Sequence, residues 1–396
     1  MISVTEGRKI IRDHTLPLRP VTIDTDRASG YVLAEDVRAG CDIPPFDQSA
    51  MDGYAILYTG WKTGEALQVD GEIPAGQAGT YELPSGKAAR IFTGAPMPEG
   101  ADTVVMQEKT EREGNRLFIK DPELERGNNV RQKGTEIRKS ELALAKGTVL
   151  TPAGIGFLSG VGITEIKVFP RPSVAVIVTG NELQAPGNPL QQGQIYESNS
   201  FMLKAALREM GITDISVDSA GDNLDELTTV LGEYIESHDV VLLTGGVSVG
   251  DYDFVVEAAS GCGITQRFHK LRQRPGKPLY FGTKGQKIVF GLPGNPSSVL
   301  TCFYEYVWMA LQKLSGQEKQ LAALNVPLGN EISKKNALTQ FLKGVYTDGE
   351  VTPLSGQESF RMGSFAHANC LIRLGEEAKD YTKGEKVEIH LLPVYG

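Results

Sequence analysis

Several features are scarce in this chain, and each scarcity excludes a class of protein. There are four cysteines in 396 residues, none in a Cys-x-x-Cys pair, so neither a disulfide framework nor a cysteine zinc site is indicated. No apolar run is long enough to cross a bilayer, and Met1–Thr15 lacks the apolar core of a signal peptide. A net charge of -9 provides no general basic surface for nucleic acid. We therefore expect a cytoplasmic protein with no membrane or nucleic-acid partner.

Glycine and proline, in contrast, are plentiful, with 45 and 21 residues, which indicates many turns and short strands. The length exceeds that of one ordinary core, so several domains are expected. The dispersed cysteines are interpreted as small buried hydrophobes and the five isolated histidines as structural residues.

The middle of the chain alternates strand and helix patterns. Val174–Thr179 and Asp239–Thr244 are continuous apolar runs, typical of strands buried on both faces of a parallel sheet. Asn199–Met210 reads as a helix, and Pro296–Leu314 is predicted to be one long helix with Asn295 as its N-cap. This alternation predicts a doubly wound α/β domain.

Both flanking regions have β character. The turn Glu113–Asn115 is predicted to join strands Thr103–Lys109 and Arg116–Lys120 into a hairpin, and Thr347–Gly349 supplies a second hairpin turn. A β-rich region before the α/β domain and a small β unit after it are therefore expected.

Three loops of the α/β region have anion-binding character. Thr244–Gly250 is a glycine-rich turn after a buried strand, Arg274–Pro278 places two cations around a Pro-Gly turn, and Gly291–Ser298 ends a strand and opens a helix. Each also has a simpler interpretation: a tight turn, a solvated basic turn or helix capping. The candidate binding residues in these loops are Gly245, Gly246, Ser248, Arg274, Lys277, Pro293, Asn295, Ser297 and Ser298.

Four carboxylates form a second candidate set. Glu182, Asp222 and Asp253 follow strand ends of the predicted sheet, so they could meet at one rim, and Asp52 lies far away in Ser49–Tyr54. Each alone is more commonly a turn or cap residue. Together with the cations they suggest a Mg²⁺-assisted phosphoanhydride step, with the first three as metal ligands.

These segments, taken in order, resemble the molybdopterin molybdotransferase family, which includes MoeA and the E domain of gephyrin. The resemblance covers nearly the whole chain. Its most specific segments are Pro44–Ala55, Phe92–Glu108, Asn129–Gly134, Val178–Leu183, Leu243–Asp253, Arg274–Pro278, Gly291–Val299 and Ser359–Leu371.

The resemblance implies a multidomain α/β plus β fold in four parts and an elongated homodimer. The implied active cleft lies between two chains, so that Asp52 and Thr93 act in trans. The implied parts are residues 1–43 with 141–170 as an N-terminal helix and split linking domain, 44–140 as an inserted β-rich domain, 171–316 as a molybdopterin-binding α/β domain, and 317–396 as a C-terminal β-barrel.

The reaction implied by the resemblance takes adenylyl-molybdopterin and molybdate, forms molybdenum cofactor and releases AMP, with Mg²⁺. The implied catalytic residues are Asp52, Thr93, Glu182, Asp222, Asp253 and Lys277, and Lys343 and Ser364 join the substrate-binding set. Sulfurs of the substrate, rather than protein cysteines, would ligate the metal. An adenylyltransferase that makes the intermediate and molybdoenzyme apoproteins are the further implied partners.

Three positions depart from the family pattern while keeping their charge. Arg274 replaces the usual Lys, Lys343 replaces an Arg found in many members, and Glu136 replaces a common Asp. Two alternative functions remain open from the sequence: a molybdopterin adenylyltransferase, whose fold the α/β domain also resembles, and a non-catalytic scaffold like the gephyrin E domain.

Overall fold

The computed structural model describes residues 1–76, 79–246 and 254–393, and the chain divides into two compact units. The first unit contains Met1–Val21, Gly30–Ala34 and Val168–Gly396, and the second contains Thr22–Ser29 and Glu35–Lys167. Within these ranges, no helix has both the length and the apolar character needed to cross a membrane. The helices are α1 (Val4–His14), α2 (Pro152–Gly160), α3 (Asn199–Glu209), α4 (Leu224–Ser237), α5 (Val255–Gly261), α6 (Pro296–Cys302), α7 (Trp308–Leu314) and α8 (Met362–Phe365).

A six-stranded sheet forms the centre of the first unit. Four neighbouring strands are parallel to one another. Each of the last two strands pairs antiparallel with the strand before it in the sheet. The first strand in the chain, Val174–Thr179, lies between the second and the third, so the winding direction reverses beside it. Ligands of such sheets bind at this reversal, outside the carboxyl ends of the strands. The spatial order is Ile215–Ala220, Val174–Thr179, Val240–Thr244, Lys287–Leu292, Pro278–Lys284 and Thr265–Lys270.

Helices cover both faces of this sheet, which explains its continuous apolar strands. Val176 and Leu242 pack in one core with α3, α6 and α7, whereas Ile177 and Leu243 pack in a second core with α4 and α5. Burying each such side chain stabilises the fold by about 1.5–3 kcal/mol. The doubly wound α/β prediction is confirmed.

The helix predicted over Pro296–Leu314 is interrupted. A π-helical turn, Phe303–Val307, separates α6 from α7, and all five of its side chains are buried. A π turn inserts one residue into the helical repeat and changes the direction of the side chains that follow it. Glu305 and Tyr306, consecutive residues of this turn, are both buried.

The C-terminal part of the first unit is a β unit. Thr347 and Glu350 pair across the predicted hairpin turn, and Asp348 and Gly349 have φ values of 50° and 83°, so this hairpin is confirmed. A smaller sheet pairs Ile332–Lys334 with Lys379–Tyr381. The main sheet runs in the order Gln273–Arg274, Thr339–Thr347, Cys370–Leu374, Lys386–Leu391 and Ala323–Pro327, and Glu350–Pro353 pairs with Thr339–Thr347.

The second unit is built on a mixed six-stranded sheet. The predicted pairing of Thr103–Lys109 with Arg116–Lys120 is wrong: Thr110–Glu113 pairs with Arg116–Ile119 instead. Thr103–Met106, which is mostly buried, pairs with Gly53–Ile56. The shorter two-residue turn and the burial of Thr103–Met106 account for this pairing. The sheet order is Thr103–Met106, Gly53–Ile56, Lys87–Ile91, Leu67–Ile73, Arg116–Ile119 and Thr110–Glu113.

Candidate functional site

The glycine turn after strand Val240–Thr244 lies at the reversal point of the first unit's sheet. Gly245 and Gly246 have φ values of 85° and 60°, in the left-handed region that favours glycine. A Cβ on Gly245 would lie 2.5 Å from the carbonyl oxygen of Thr179 on the neighbouring strand. This position therefore requires glycine for both conformation and space. Ser248 and Asp253, predicted to belong to the same loop, lie outside the described residues.

The acidic loops after the two neighbouring strands are brought together. The amide of Asn181 donates to Oδ2 of Asp222 at 3.2 Å, and the amide of Asp222 donates back to Oδ1 of Asn181 at 3.4 Å. Glu182 follows directly, and its Oε2 lies 2.6 Å from where a Cβ on Gly180 would be. Among the described residues no group of three acidic, histidine or cysteine side chains could hold a metal ion.

The start of α6 lies against the same rim. A Cβ on Gly294 would lie 3.8 Å from the Cα of Gly245, so the two glycine turns are neighbours. Asn199, at the start of α3, donates from Nδ2 to the carbonyl of Gly294 at 2.9 Å. Its Oδ1 is buried and has no hydrogen-bond partner among the described residues. In the sequence, only its place at a helix start marks Asn199.

The backbone amides in the first turn of α6 are already hydrogen-bonded within the protein. The Ser297 amide donates to the carbonyl of Ser359 at 3.1 Å, and Nδ2 of Asn295 donates to Oγ of Ser359 at 2.9 Å. The Ser298 amide donates to the carbonyl of Asn295, and Ser297 and Ser298 are only 1% and 3% exposed. These amides were expected to be free for an anion, but Ser359 of the C-terminal β unit and the turn itself satisfy them.

The two cations of Arg274–Pro278 are exposed at this edge. Tyr280 pairs with Gly291 in antiparallel register, which brings Lys277 level with Gly294 just beyond the end of strand Lys287–Leu292. A Cβ on Gly276 would lie 3.7 Å from the carbonyl oxygen of Ser298. The cationic loop therefore packs beside α6.

The position of Lys343 differs from the prediction that this residue contacts the substrate directly. It is 2% exposed, and Nζ donates to the carbonyls of Gly356 and Arg361 at 2.7 and 3.0 Å and, at 3.5 Å, to that of Glu358. Burial lowers the pKa of this ammonium. Ser364 Oγ donates to the same Gly356 carbonyl at 2.7 Å. Because its donors are already engaged, Lys343 supports the segment that carries Ser359 and Ser364 instead of facing an oxyanion.

Asp52 and Thr93 are brought together in the second unit because Gly53 pairs with Ile91 on the adjacent strand. Oδ1 of Asp52 accepts from the Thr93 amide at 2.8 Å and from its hydroxyl at 2.7 Å. These bonds hold the pKa of the carboxyl below its ordinary value. The sequence reasoning missed Arg90, which donates to the carbonyl of Gly53 and whose charge also lowers the Asp52 pKa.

Two of the four cysteines agree with their interpretation as small buried hydrophobes, whereas Cys41 and Cys262 are only partly buried. Cys302 and Cys370 are fully buried, and burial raises the pKa of both thiols, to about 12 for Cys370. Such thiols stay protonated and are poor metal ligands.

The fold and these contacts define a class: a multidomain α/β protein whose sheet rim, at the reversal point, combines glycine turns, carboxylates and cations for a phosphate- or oxyanion-bearing ligand. Comparison with models of known protein families identifies the family within this class. Residues 2–162 match the MoeA N-terminal region (domain I and II), residues 175–313 the "Probable molybdopterin binding domain", and residues 325–392 the MoeA C-terminal region (domain IV).

Individual relatives agree with these matches. A Haemophilus influenzae protein named molybdopterin molybdenumtransferase is 33% identical, with 99% of this chain and all of that protein covered. A Nostoc protein of the same name is 41% identical over 75% of this chain and 70% of its own length. The molybdopterin biosynthesis MoeA structure from Pyrococcus horikoshii superposes with a TM-score of 0.82 at 30% identity, covering 99% of this chain and 100% of that one. The chain belongs to the MoeA family of molybdopterin molybdenumtransferases, which are enzymes of molybdenum cofactor biosynthesis.

Proposed function

We propose that this protein inserts molybdate into adenylyl-molybdopterin and releases AMP as the phosphoanhydride bond breaks. The observation that carries the proposal is the proximity of Gly245 and Gly294 at the rim of the sheet, with the Arg274–Lys277 loop packed beside the adjoining helix α6. The family match extends from residue 2 to residue 392, well beyond the α/β domain. That extent favours insertion over the adenylyltransferase alternative, which rested on the α/β domain alone.

In this proposal the exposed cations Arg274 and Lys277 attract the molybdate dianion, and Ser298 and Ser364 complete the set. Ser364 donates to the Gly356 carbonyl at 2.7 Å, so it contacts the oxyanion only if that hydrogen bond is exchanged for one to the ligand. Gly245 and Gly246 let the backbone approach the phosphates of the substrate, and Ser248 belongs to the same contact surface. Lys343 acts indirectly in this proposal, because it fixes the segment that carries Ser364. Pro293, Asn295 and Ser297 shape the turn into α6.

Glu182 and Asp222 fit the Mg²⁺ that the family implies. Their loops are joined by the two bonds between Asn181 and Asp222, and Mg²⁺ in phosphate sites commonly takes one or two carboxylates together with substrate oxygens. Asp253 is proposed as the third acidic residue. When bound, the ion neutralises charge on the phosphoanhydride.

We further propose a cytoplasmic homodimer in which Asp52 and Thr93 of one chain complete the site of the other. Asp52 and Thr93 belong to the second unit, whereas Lys277 and Gly245 belong to the first. The four-part division at residues 43, 140, 170 and 316 belongs to the same proposal. Its partners are the adenylyltransferase that supplies the substrate and the apoproteins that accept the product.

The direct test is AMP release from purified adenylyl-molybdopterin with Mg²⁺, with and without molybdate. We expect molybdate-dependent release, and Lys277→Ala and Asp52→Asn each to lower turnover strongly. No AMP release from a substrate that another family member converts would refute the transferase. ATP consumption with metal-free molybdopterin would favour the adenylyltransferase, and pterin-independent dimerisation without turnover would favour the scaffold.

The contribution in trans has its own test. The two inactive variants, Asp52→Asn and Lys277→Ala, are mixed and allowed to exchange subunits. If the site is shared between chains, a heterodimer of Asp52→Asn with Lys277→Ala has one intact site, so it recovers about half the wild-type activity. A site within one chain leaves every mixture inactive. The homodimers of each variant serve as matched controls.

A further inference from the structure

We propose that the buried pair Gln273 and Tyr306, called here the amide clamp, positions the Arg274–Lys277 loop and thereby sets the affinity for the oxyanion substrate. The inference rests on the proposed function, since it concerns the loop that offers the two cations. Neither clamp residue is exposed, so both act through the loop and neither touches substrate.

The loop has an inner and an outer side. Arg274 and Lys277 are exposed, whereas Gln273 and Gly276 are buried beneath them. Nε2 of Gln273 donates to the carbonyl of Gly276 at 2.9 Å, which closes the turn from inside. The amide of Leu271 donates to the carbonyl of Lys277 at 2.9 Å and closes it at its ends. The direction in which Lys277 leaves the loop is therefore fixed by a buried hydrogen bond.

Tyr306 fixes the orientation of the Gln273 amide. Its hydroxyl donates to Oε1 of Gln273, so the amide can present only its Nε2 to Gly276. Without this bond a buried Oε1 would lack a donor, and the amide could rotate away from the turn. Tyr306 lies in the π turn Phe303–Val307, which directly follows α6.

The floor of the loop is also tightly packed. A Cβ on Gly276, whose φ is 77°, would lie 2.4 Å from Sγ of Cys302 and 3.0 Å from Nε2 of Gln273. The loop therefore lies directly on α6, and a change of the clamp is transmitted to the backbone between the two cations. Small displacements of charged binding groups cause large losses in affinity, since the groups must converge on one ligand.

The test uses near-isosteric variants that remove the hydrogen bonds but keep the volume: Tyr306→Phe, Gln273→Met and the double variant. Tyr58→Phe is the matched control, because its hydroxyl donates to a backbone carbonyl, that of Leu124, in the other unit. Measurements are KM for molybdate and kcat in the AMP-release assay, Tm, and hydrogen exchange of the peptide that contains Leu271–Lys277.

We expect Gln273→Met to raise KM for molybdate about tenfold with kcat at saturation kept within about twofold. Tyr306→Phe should raise KM less, because the amide retains its Nε2 bond for part of the time. The double variant should equal Gln273→Met in KM, since the tyrosine acts through the amide. Its Tm should exceed that of Gln273→Met, because no unpaired tyrosine hydroxyl remains buried. Hydrogen exchange at Leu271 should rise in all three variants.

A double variant with wild-type KM, or single variants that lower kcat alone, would overturn the inference and leave a purely structural pair. The result is separable from failure of the proposed function. If wild-type protein releases no AMP, the function fails, while hydrogen exchange still reports on the loop. Unchanged exchange of the loop peptide in Gln273→Met would refute the clamp by itself.

Discussion

Replacing Lys343 by Met distinguishes a supporting lysine from a direct substrate ligand. In the structure its ammonium is buried and donates to the carbonyls of Gly356 and Arg361 at 2.7 and 3.0 Å. Met fills a similar volume but leaves these part-buried acceptors without that donor. An unsatisfied buried acceptor costs about 1–3 kcal/mol, and loss of the desolvated cation offsets part of that cost. Ser364 still donates to the Gly356 carbonyl at 2.7 Å, so roughly one acceptor loses its donor and we expect a net destabilisation of about 1–2 kcal/mol.

Thermal unfolding and KM for molybdate are the assays. Lys343→Met should lower Tm and raise KM together, since the released segment carries Ser364. Lys334→Met is a matched control: Lys334 is also 2% exposed, and its Nζ donates to the carbonyls of Asn336 and Glu377 at 2.6 and 2.8 Å. It should lower Tm to a similar extent without changing KM.

Direct ligation by Lys343 predicts the opposite pattern. Removing a buried cation whose function is to face an oxyanion would leave Tm unchanged or raise it, while KM for molybdate rose. An unchanged Tm in Lys343→Met, with the Lys334→Met control destabilised, would therefore refute the supporting role.

Three further predictions concern other parts of the molecule. Gly245→Ala should lower the free energy of unfolding, measured by chemical denaturation, by at least about 2 kcal/mol, because it forces an alanine into the left-handed region and onto Thr179. Gly294→Ala is the control and should cause only a small loss of stability, since its Cβ would meet a Cα at 3.8 Å. Thr93→Val removes one of the two hydrogen bonds from Thr93 to Asp52, so it should raise the pKa of Asp52 and lower kcat/KM. An unchanged Asp52 pKa in an NMR titration would show that the Thr93 hydroxyl is not needed to hold this pKa low. Burial opposes protonation of His390, but Glu305 raises its pKa on balance above the ordinary 6.5, with Arg8 opposing and Glu388 assisting. The stability from His390 is therefore complete below pH 6.5 and is lost as pH rises through its folded pKa, so Tm should fall over that range in wild type and fall less in His390→Gln.

The local pattern of the sequence was sufficient for the secondary structure that short-range forces determine. The apolar run Val174–Thr179 needs cover on both faces, so it predicts a central parallel strand whatever its neighbours are. Asp348 and Gly349 tolerate a positive φ, so they predict their hairpin turn. The glycine and cation motifs likewise marked the rim, because they require a backbone approach or a charge at a fixed place in the chain.

Only the tertiary structure decided which donors remain available. The ammonium of Lys343 and the amide of Ser297 look like anion ligands in the sequence, yet carbonyls distant in the chain already occupy them. The hydrogen bond from Tyr306 to Gln273 joins residues 33 positions apart in the chain, so no local pattern predicts it. A motif fixes the chemistry that a residue can offer, whereas the packing of distant segments determines which of its hydrogen bonds are still free, and that information is absent from any local stretch of sequence.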